Sequence, residues 1–243
     1  MFREQPVPAL DAETVSLISL PGCSATNEAL AVLDKFNTAT ASHDADALQH
    51  CLFAKQAYWK DTLALTYHLR TFYTPARIAT NFLETKQCRG MRDNWKLESA
   101  SFVPATPVLQ FIDVRLSFRT TSPAATCSGR FLLLPVKSDS GALDWKIWIL
   151  STTLENLDLY PEDESLLQVP GKSIHGMNRI ETDVLIIGGG NAAAALAARL
   201  KTLGVDSVMI ERNARVGDNW ALRYDKMKFH VPTSFAEMPY TSE

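Results

Sequence analysis

The stretch Glu181–Trp220, ETDVLIIGGGNAAAALAARLKTLGVDSVMIERNARVGDNW, decides how the C-terminal part of the chain is read. Asp183–Ile187 is a short apolar, β-branched run, the composition of a strand buried on both faces of a parallel sheet. It leads straight into Gly188-Gly189-Gly190-Asn191-Ala192-Ala193, which matches GxGxxG/A. In that pattern Gly188 permits the tight turn, Gly190 lets a pyrophosphate approach the backbone, and Ala193 is small enough for close helix–strand packing. The segment from about Asn191 to Leu203 is rich in Ala and Leu, good helix formers. Its first N–H groups are unpaired and its dipole is positive at that end, which favours an anion. Gly204 stands where a C′ glycine belongs. DSVMIE then reads as a second strand closed by Glu211, 23 residues after Gly188. A carboxylate there is placed to accept hydrogen bonds from ribose hydroxyls and disfavours a 2′-phosphate, so FAD or NAD is expected over NADP. A purely structural glycine-rich turn is the plainer alternative, and spacing alone does not separate FAD from NAD.

The remainder of the chain is of ordinary globular composition. Of its 243 residues 46% are hydrophobic and 21% charged, and the net charge of −3 argues against a nucleic-acid-binding face. No Lys/Arg cluster supports a membrane-surface patch. Cys23, Cys51, Cys88 and Cys127 lie far apart without CxxC spacing, which fits reduced thiols; no metal site is expected. The N-terminus lacks a basic region followed by an apolar one, so it does not read as a signal peptide. The longest apolar run, Val184–Ala198, is broken by three glycines and Asn191 and falls short of the roughly 20 residues of a membrane helix. A cytoplasmic protein is the expectation.

Glycine usage marks a boundary, with four glycines in the first 170 residues and seven from Gly171 onward. Between the two regions, ENLDLYPEDESLLQVPGKSIHGMNRIET carries Pro161, Pro170, Gly171, Gly176 and an acidic cluster without sustained periodicity, and reads as a linker. Ahead of it, NEALAVLDKFNTAT places Ala29, Leu30, Val32, Leu33 and Phe36 at helical spacing, with Thr26 or Asn27 as N-cap. DADALQHCLF reads as a short helix capped by Asp44, and TPARIATNFLETK as a helix started by Thr74 and Pro75. The period then changes to two. In VLQFIDVRLSFRT, Ile112, Val114, Leu116 and Phe118 alternate with Asp113, Arg115, Ser117 and Arg119, a strand with one buried face. CSGRFLLLPV and DWKIWILST follow as further strands. Helices followed by an antiparallel meander predict an α+β domain, with the sheet curling over the helices.

From Asn27 to Leu154 this order, with YWKDTLALTYHLRTFYTPARI and the paired aromatics of DWKIWIL, resembles the NTF2-like cone fold of SnoaL-like and ketosteroid isomerase relatives. That resemblance implies a pocket inside the cone, lined here by Tyr58, Trp59, Asp61 and His68, and a homodimer formed through the domain. The plainer reading puts Tyr58 and Trp59 in the core, Asp61 at the cap of a turn, and His68 in a satisfied position. From Asp183 to Tyr240, Glu211, Gly217–Trp220, Arg223-Tyr224, His230-Val231-Pro232 and Pro239-Tyr240 resemble, in combination, the flavin-containing monooxygenases and their YUCCA-like members. This second resemblance implies bound FAD, NADPH and O2 as co-substrates, and a small-molecule substrate. The candidate cofactor-binding residues are Gly188, Gly190, Asn191, Ala192, Glu211, Arg212, Asn219 and Trp220. Trp220 also reads as a core aromatic, and His230 equally as a flavin neighbour or a structural residue; no catalytic residue is assigned.

The expected layout is an N-terminal extension (residues 1–26), an NTF2-like α+β domain (27–155), a linker (156–181) and the start of a Rossmann-like βαβ FAD-binding unit (182–243). Family members carry a second GxGxxG for NADPH, whereas after Gly190 only Gly204 and Gly217 remain here, so the chain reads as ending early in the flavin domain. Two alternatives stand beside a flavin monooxygenase. One is a non-catalytic NTF2-like binding or dimerisation protein with a remnant nucleotide motif; the other is a small isomerase or cyclase using Asp61 as base. A strand apolar on both faces with one covering helix forms a marginal unit. Purified chain is therefore expected to lose FAD on gel filtration, and a yellow protein peak would overturn that expectation.

Overall fold

Apolar residues at helical spacing build the inner layer of the first half. Ala29, Val32, Leu33 and Phe36 fall on one face of helix α2 (Gly22–Ala41) and are buried. The computed structural model describes residues 6–18, 22–91, 94–138, 141–174, 176–226, 228, 230 and 238–240. The chain divides into two compact units, Met1–Leu159 and Tyr160–Glu243. Helix α2 begins at Gly22, so Thr26 and Asn27, expected as N-caps, lie inside it. Ala25 is buried along with Ala29, and core packing carries the helix a turn beyond the cap signals.

Helices α3 and α4 start where the sequence places them, and α1 has a side-chain cap as well. Asp11 caps α1 (Ala12–Leu17) by accepting the Thr14 N–H at 2.7 Å. Asp44 caps α3 (Ala45–Cys51) by accepting the Ala47 N–H at 2.9 Å. Helix α4 (Pro75–Cys88) follows Thr74, which holds the N-cap position at φ 69° without a side-chain cap bond.

Six strands form one sheet: β1 (Tyr58–Thr62), β2 (Leu69–Tyr73), β3 (Lys96–Thr106), β4 (Leu109–Thr121), β5 (Ala124–Lys137) and β6 (Leu143–Leu157), in the order β2-β1-β6-β5-β4-β3. Only β1 and β6 run parallel. The period-two pattern of β4 is realised: Ile112, Val114, Leu116 and Phe118 are buried while Arg115 and Arg119 are exposed. Register shifts between β3 and β4 and between β5 and β6 mark bulges, the devices that bend long strands. Helix α2 packs on β3, β4 and β6, α3 on β6, and α4 on β1 and β2. This is the expected α+β architecture, although β1 and β2 precede α4 and β1 runs parallel to β6, which departs from a purely antiparallel meander placed after the helices.

Aromatic rings fill the space between the helices and the sheet. Phe36 meets Phe82, Trp95 and Phe131 edge-on, with centroids 5.4, 5.1 and 5.1 Å away. Trp95 stacks on Phe118 at 4.3 Å. Gly129 makes room for that stack, because a Cβ there would overlap the Trp95 ring. Trp59 stacks on Phe72 at 4.6 Å and donates its indole N–H to Thr152 Oγ1 at 2.9 Å.

The second unit contains β7 (Val184–Ile187), α5 (Asn191–Thr202), β8 (Ser207–Ile210) and a one-turn α6 (Asp218–Ala221). Strands β7 and β8 pair in parallel, with Val184 opposite Ser207 and Ile187 opposite Ile210. Helix α5 ends in a Schellman motif, in which Gly204, at φ 69°, donates to Lys201 O at 3.0 Å and Val205 donates to Leu200 O at 2.9 Å. Ile186 is buried, but Leu185, Ile187 and Ile210 are 54, 81 and 48% exposed. Among the described residues that side of β7 lacks the cover its apolar sequence calls for.

Residues 156–181, expected as a linker, contain more order than that. Strand β6 runs to Leu157, and a 3-10 helix spans Glu164–Gln168, capped by Asp163 accepting the Ser165 N–H at 2.9 Å. The Asp163 N–H reaches Thr202 O at 2.8 Å, and Arg199 grips both Glu162 carboxylate oxygens at 2.6 and 2.7 Å. So short a helix leaves no periodicity to read. Tyr240 joins the same place, its hydroxyl 2.8 Å from Thr202 Oγ1 and its ring 4.9 Å from the Arg199 guanidinium carbon. Among the described residues no helix is long and apolar enough to cross a membrane.

Replacing Phe36 with Ala is expected to lower unfolding free energy by about 3–5 kcal/mol. Urea denaturation followed by tryptophan fluorescence checks this, and a loss below about 1 kcal/mol would mean that the aromatic cluster is not the centre of the core.

Candidate functional site

Between β7 and α5 the chain must turn sharply, and Gly188 does so at φ 101°, a region that side chains disfavour. Its N–H donates to Ile210 O at 2.8 Å and extends the ladder by one step. Gly190 then takes the N-cap position of α5, with no side-chain cap, so the first-turn N–H groups of a 12-residue helix stay open at the strand ends. Asn191 and Ala192 form that first turn.

Glu211 directly follows β8 and reaches back to this turn. Its Oε2 accepts the Gly189 N–H, and its Oε1 accepts the Asn213 N–H at 2.9 Å. These two backbone bonds, from Asn213 first and then Gly189, hold the carboxyl below its ordinary pKa of 4.5. Gly189 also stays close because it has no side chain, since a Cβ there would stand 3.1 Å from Glu211 Oε2 and 3.3 Å from Val216 Cγ2.

The loop after Glu211 closes the far side. Gly217, at φ 87°, donates to Gly189 O at 3.1 Å. Asp218 is buried and accepts both the Arg215 N–H at 3.0 Å and its Nε at 3.1 Å. Asn219 faces the glycine turn, its Nδ2 3.7 Å from where a Gly190 Cβ would be.

Together these elements enclose an open cleft of about 490 Å³, within the size range of small-molecule sites. Of the residues expected from the sequence, Gly188, Gly190, Glu211, Arg212 and Asn219 line it. Asn191, Ala192 and Trp220 do not; the first two lie in the opening turn of α5, and Trp220 is exposed rather than core and stacks on Tyr224 at 6.0 Å. Ile187, Gly189, Ile210 and Asn213 line the cleft without having been singled out. The two isoleucines were legible only as strand residues, and Asn213 acts through its backbone, which no side-chain pattern advertises. His230 is exposed, Val231 and Pro232 lie outside the described residues, and Tyr240 belongs to the opposite end of α5.

The residues expected to line a pocket in the first unit do other work. Asp61 is 0% exposed and accepts hydrogen bonds from Leu65 N–H (3.0 Å), Thr66 N–H (2.7 Å), Thr66 Oγ1 (2.6 Å) and Thr152 Oγ1 (2.5 Å). It caps the turn between β1 and β2. Trp59 is core, Tyr58 accepts a hydrogen bond from Gln56 at 2.6 Å, and His68 is exposed. Cys127, near Asp61, has its thiol pushed up to about 12 by burial first and by that carboxylate second.

A glycine turn, an open helix N-terminus and an acidic group at the end of the second strand are the features shared by dinucleotide-binding βαβ units. Residues 181–219 match the family model described as FAD binding domain. The chain is 38% identical over 61 residues to indole-3-pyruvate monooxygenase YUCCA6 of Arabidopsis thaliana, a match covering 25% of this chain and 15% of that protein. It is 41% identical over 56 residues to the probable indole-3-pyruvate monooxygenase YUCCA4 of the same plant, covering 23% and 14%. The chain thus spans about a seventh of the curated relatives it matches. Among solved structures, an NTF-2-like protein of unknown function from Silicibacter pomeroyi aligns with TM-score 0.40 and 11% identity, over 55% of this chain and 98% of that one. A ketosteroid isomerase-like protein from Erwinia carotovora atroseptica aligns with TM-score 0.38 and 14% identity, over 54% and 95%.

Because the Glu211 pKa is depressed, its two backbone bonds are complete above pH 4.5 and are lost as pH falls through the lower folded value. In an NMR titration the Gly189 amide is expected to shift with an inflection below 4.5. The Glu211→Gln variant removes that inflection; a Gly189 amide that does not titrate would refute the contact.

Proposed function

We propose that the second unit holds the adenosine diphosphate part of FAD, and that the chain serves a flavin-dependent monooxygenase reaction with NADPH and O2 as co-substrates. The observation that carries this reading is the seat of the Glu211 carboxylate against the glycine turn. A carboxylate offers about four lone-pair positions. Gly189 and Asn213 each use one, and the Arg212 N–H also bears on the carboxylate, which leaves acceptor capacity for a ribose hydroxyl. The diphosphate would meet the open N–H groups of α5, and Asn219 and Arg212 add donors at the cleft wall. The donor set therefore fits an adenosine diphosphate. Bound FAD supplies the redox and oxygen chemistry, while these residues bind and orient it. The match of residues 181–219 to an FAD binding domain and the resemblance to plant indole-3-pyruvate monooxygenases support FAD over NAD.

A second reading, a binding protein that retains a nucleotide motif without turnover, has one observation in its favour: Leu185, Ile187 and Ile210 remain exposed beside the cleft.

Titration of the chain with FAD, ADP and 2′-phospho-ADP, followed by calorimetry, tests the proposal. FAD and ADP are expected to bind, with 2′-phospho-ADP weaker, and Glu211→Ala is expected to weaken FAD by about ten- to a hundredfold, the worth of hydrogen bonds to a charged group. Equal affinity of wild type and Glu211→Ala would overturn the cofactor assignment.

A further inference from the structure

The first unit has an open cleft of its own, of about 490 Å³, between the end of α3, the start of α4 and the adjoining ends of β5 and β6. Its floor is apolar, made by Leu52, Phe53, Pro75 and Val136. Its rim carries His50, Lys55 and Lys146, and none of its lining residues is acidic. Such a combination of apolar floor and few polar groups is the common form of a small-molecule site.

The three basic groups are not equivalent. Lys146 is engaged, donating to His50 O at 2.9 Å and pairing with Asp144 at 2.8 Å. His50 places its Nδ1 2.6 Å from Asp46 O, which fixes that nitrogen as a donor to the helix. Lys55 is exposed and makes no hydrogen bond or ion pair among the described residues, with Asp11 as a more distant acidic neighbour. It is the cation at the rim still available to a ligand. Thr74 gives α4 no side-chain cap, so the positive end of that helix adds the same sign at the cleft wall.

We infer that this cleft binds a small organic anion with an apolar body, of the aryl- or alkyl-carboxylate class. The apolar body covers Leu52, Phe53, Pro75 and Val136 and releases water from them. The carboxylate meets Lys55. Recognition needs both halves: a neutral alcohol of the same shape gains only the floor, and acetate gains only the rim. The site is independent of the flavin reading, since its residues all belong to the first unit.

The test is an NMR titration of the full chain with phenylacetate, 2-phenylethanol and acetate. Phenylacetate is expected to give saturable shifts at Leu52–Lys55 and Thr74–Ala76, with the other two probes clearly weaker. Lys55→Met should weaken phenylacetate about three- to fivefold, the scale of one exposed ion pair, and leave 2-phenylethanol unchanged. Val136→Trp, which fills the floor, should abolish both. The inference is overturned if 2-phenylethanol matches phenylacetate, if Lys55→Met binds as wild type does, or if phenylacetate shifts only the glycine turn at Gly188–Gly190. Should Val136→Trp fail to fold, the Lys55→Met comparison decides alone.

Discussion

Glu211 joins the two strand ends of the second unit through a single side chain. Without it, the turn at Gly188–Gly190 would be held by two backbone bonds, from Gly188 to Ile210 and from Gly217 to Gly189. Neither fixes where an acceptor for a ribose would stand. The carboxylate does both jobs, because one oxygen binds the turn and the other binds the start of the following loop. The buried Asp218, bonded to Arg215, then shapes that loop so that Gly217 and Asn219 come back to the glycines. The cleft is therefore a product of local backbone bonds around one charged group rather than of extensive packing, which fits a unit with few buried side chains.

In the first unit the balance is reversed. Phe36, Phe82, Trp95, Phe118 and Phe131 occupy the volume between the helices and the sheet. The only carboxylate the sequence offered there as a base, Asp61, is used up by two backbone and two hydroxyl donors. A group so enclosed cannot meet a substrate without opening the β1–β2 turn. The isomerase-like alternative thus loses its base to a structural task.

Much of this was legible from residue order. The alternation in β4, the Asp44 and Thr-Pro helix starts, and the strand–glycine–helix–strand series each follow a local rule, and the structure obeys it. The failures share a physical cause. Thr26 and Asn27 carry cap-forming side chains, yet burial of Ala25 outweighs that preference. The 3-10 helix at Glu164–Gln168 is too short for periodicity and is held by partners about 35 residues away. At the cleft, Gly188, Gly190 and Glu211 announced themselves by type and spacing. Gly189 and Asn213 contribute peptide N–H groups, and any residue has those, so only folded geometry picks them out.

The grip on the far end of α5 has a mechanical consequence. The helix is 12 residues long, about 18 Å at 1.5 Å per residue. One end meets the glycine turn; the other is clasped by Glu162, the Asp163 amide and Tyr240. Both ends of this rod are tied down, so the aim of its leading amides depends partly on residues that lie outside the cleft. Loosening the clasp would leave every donor in place and spoil only their direction.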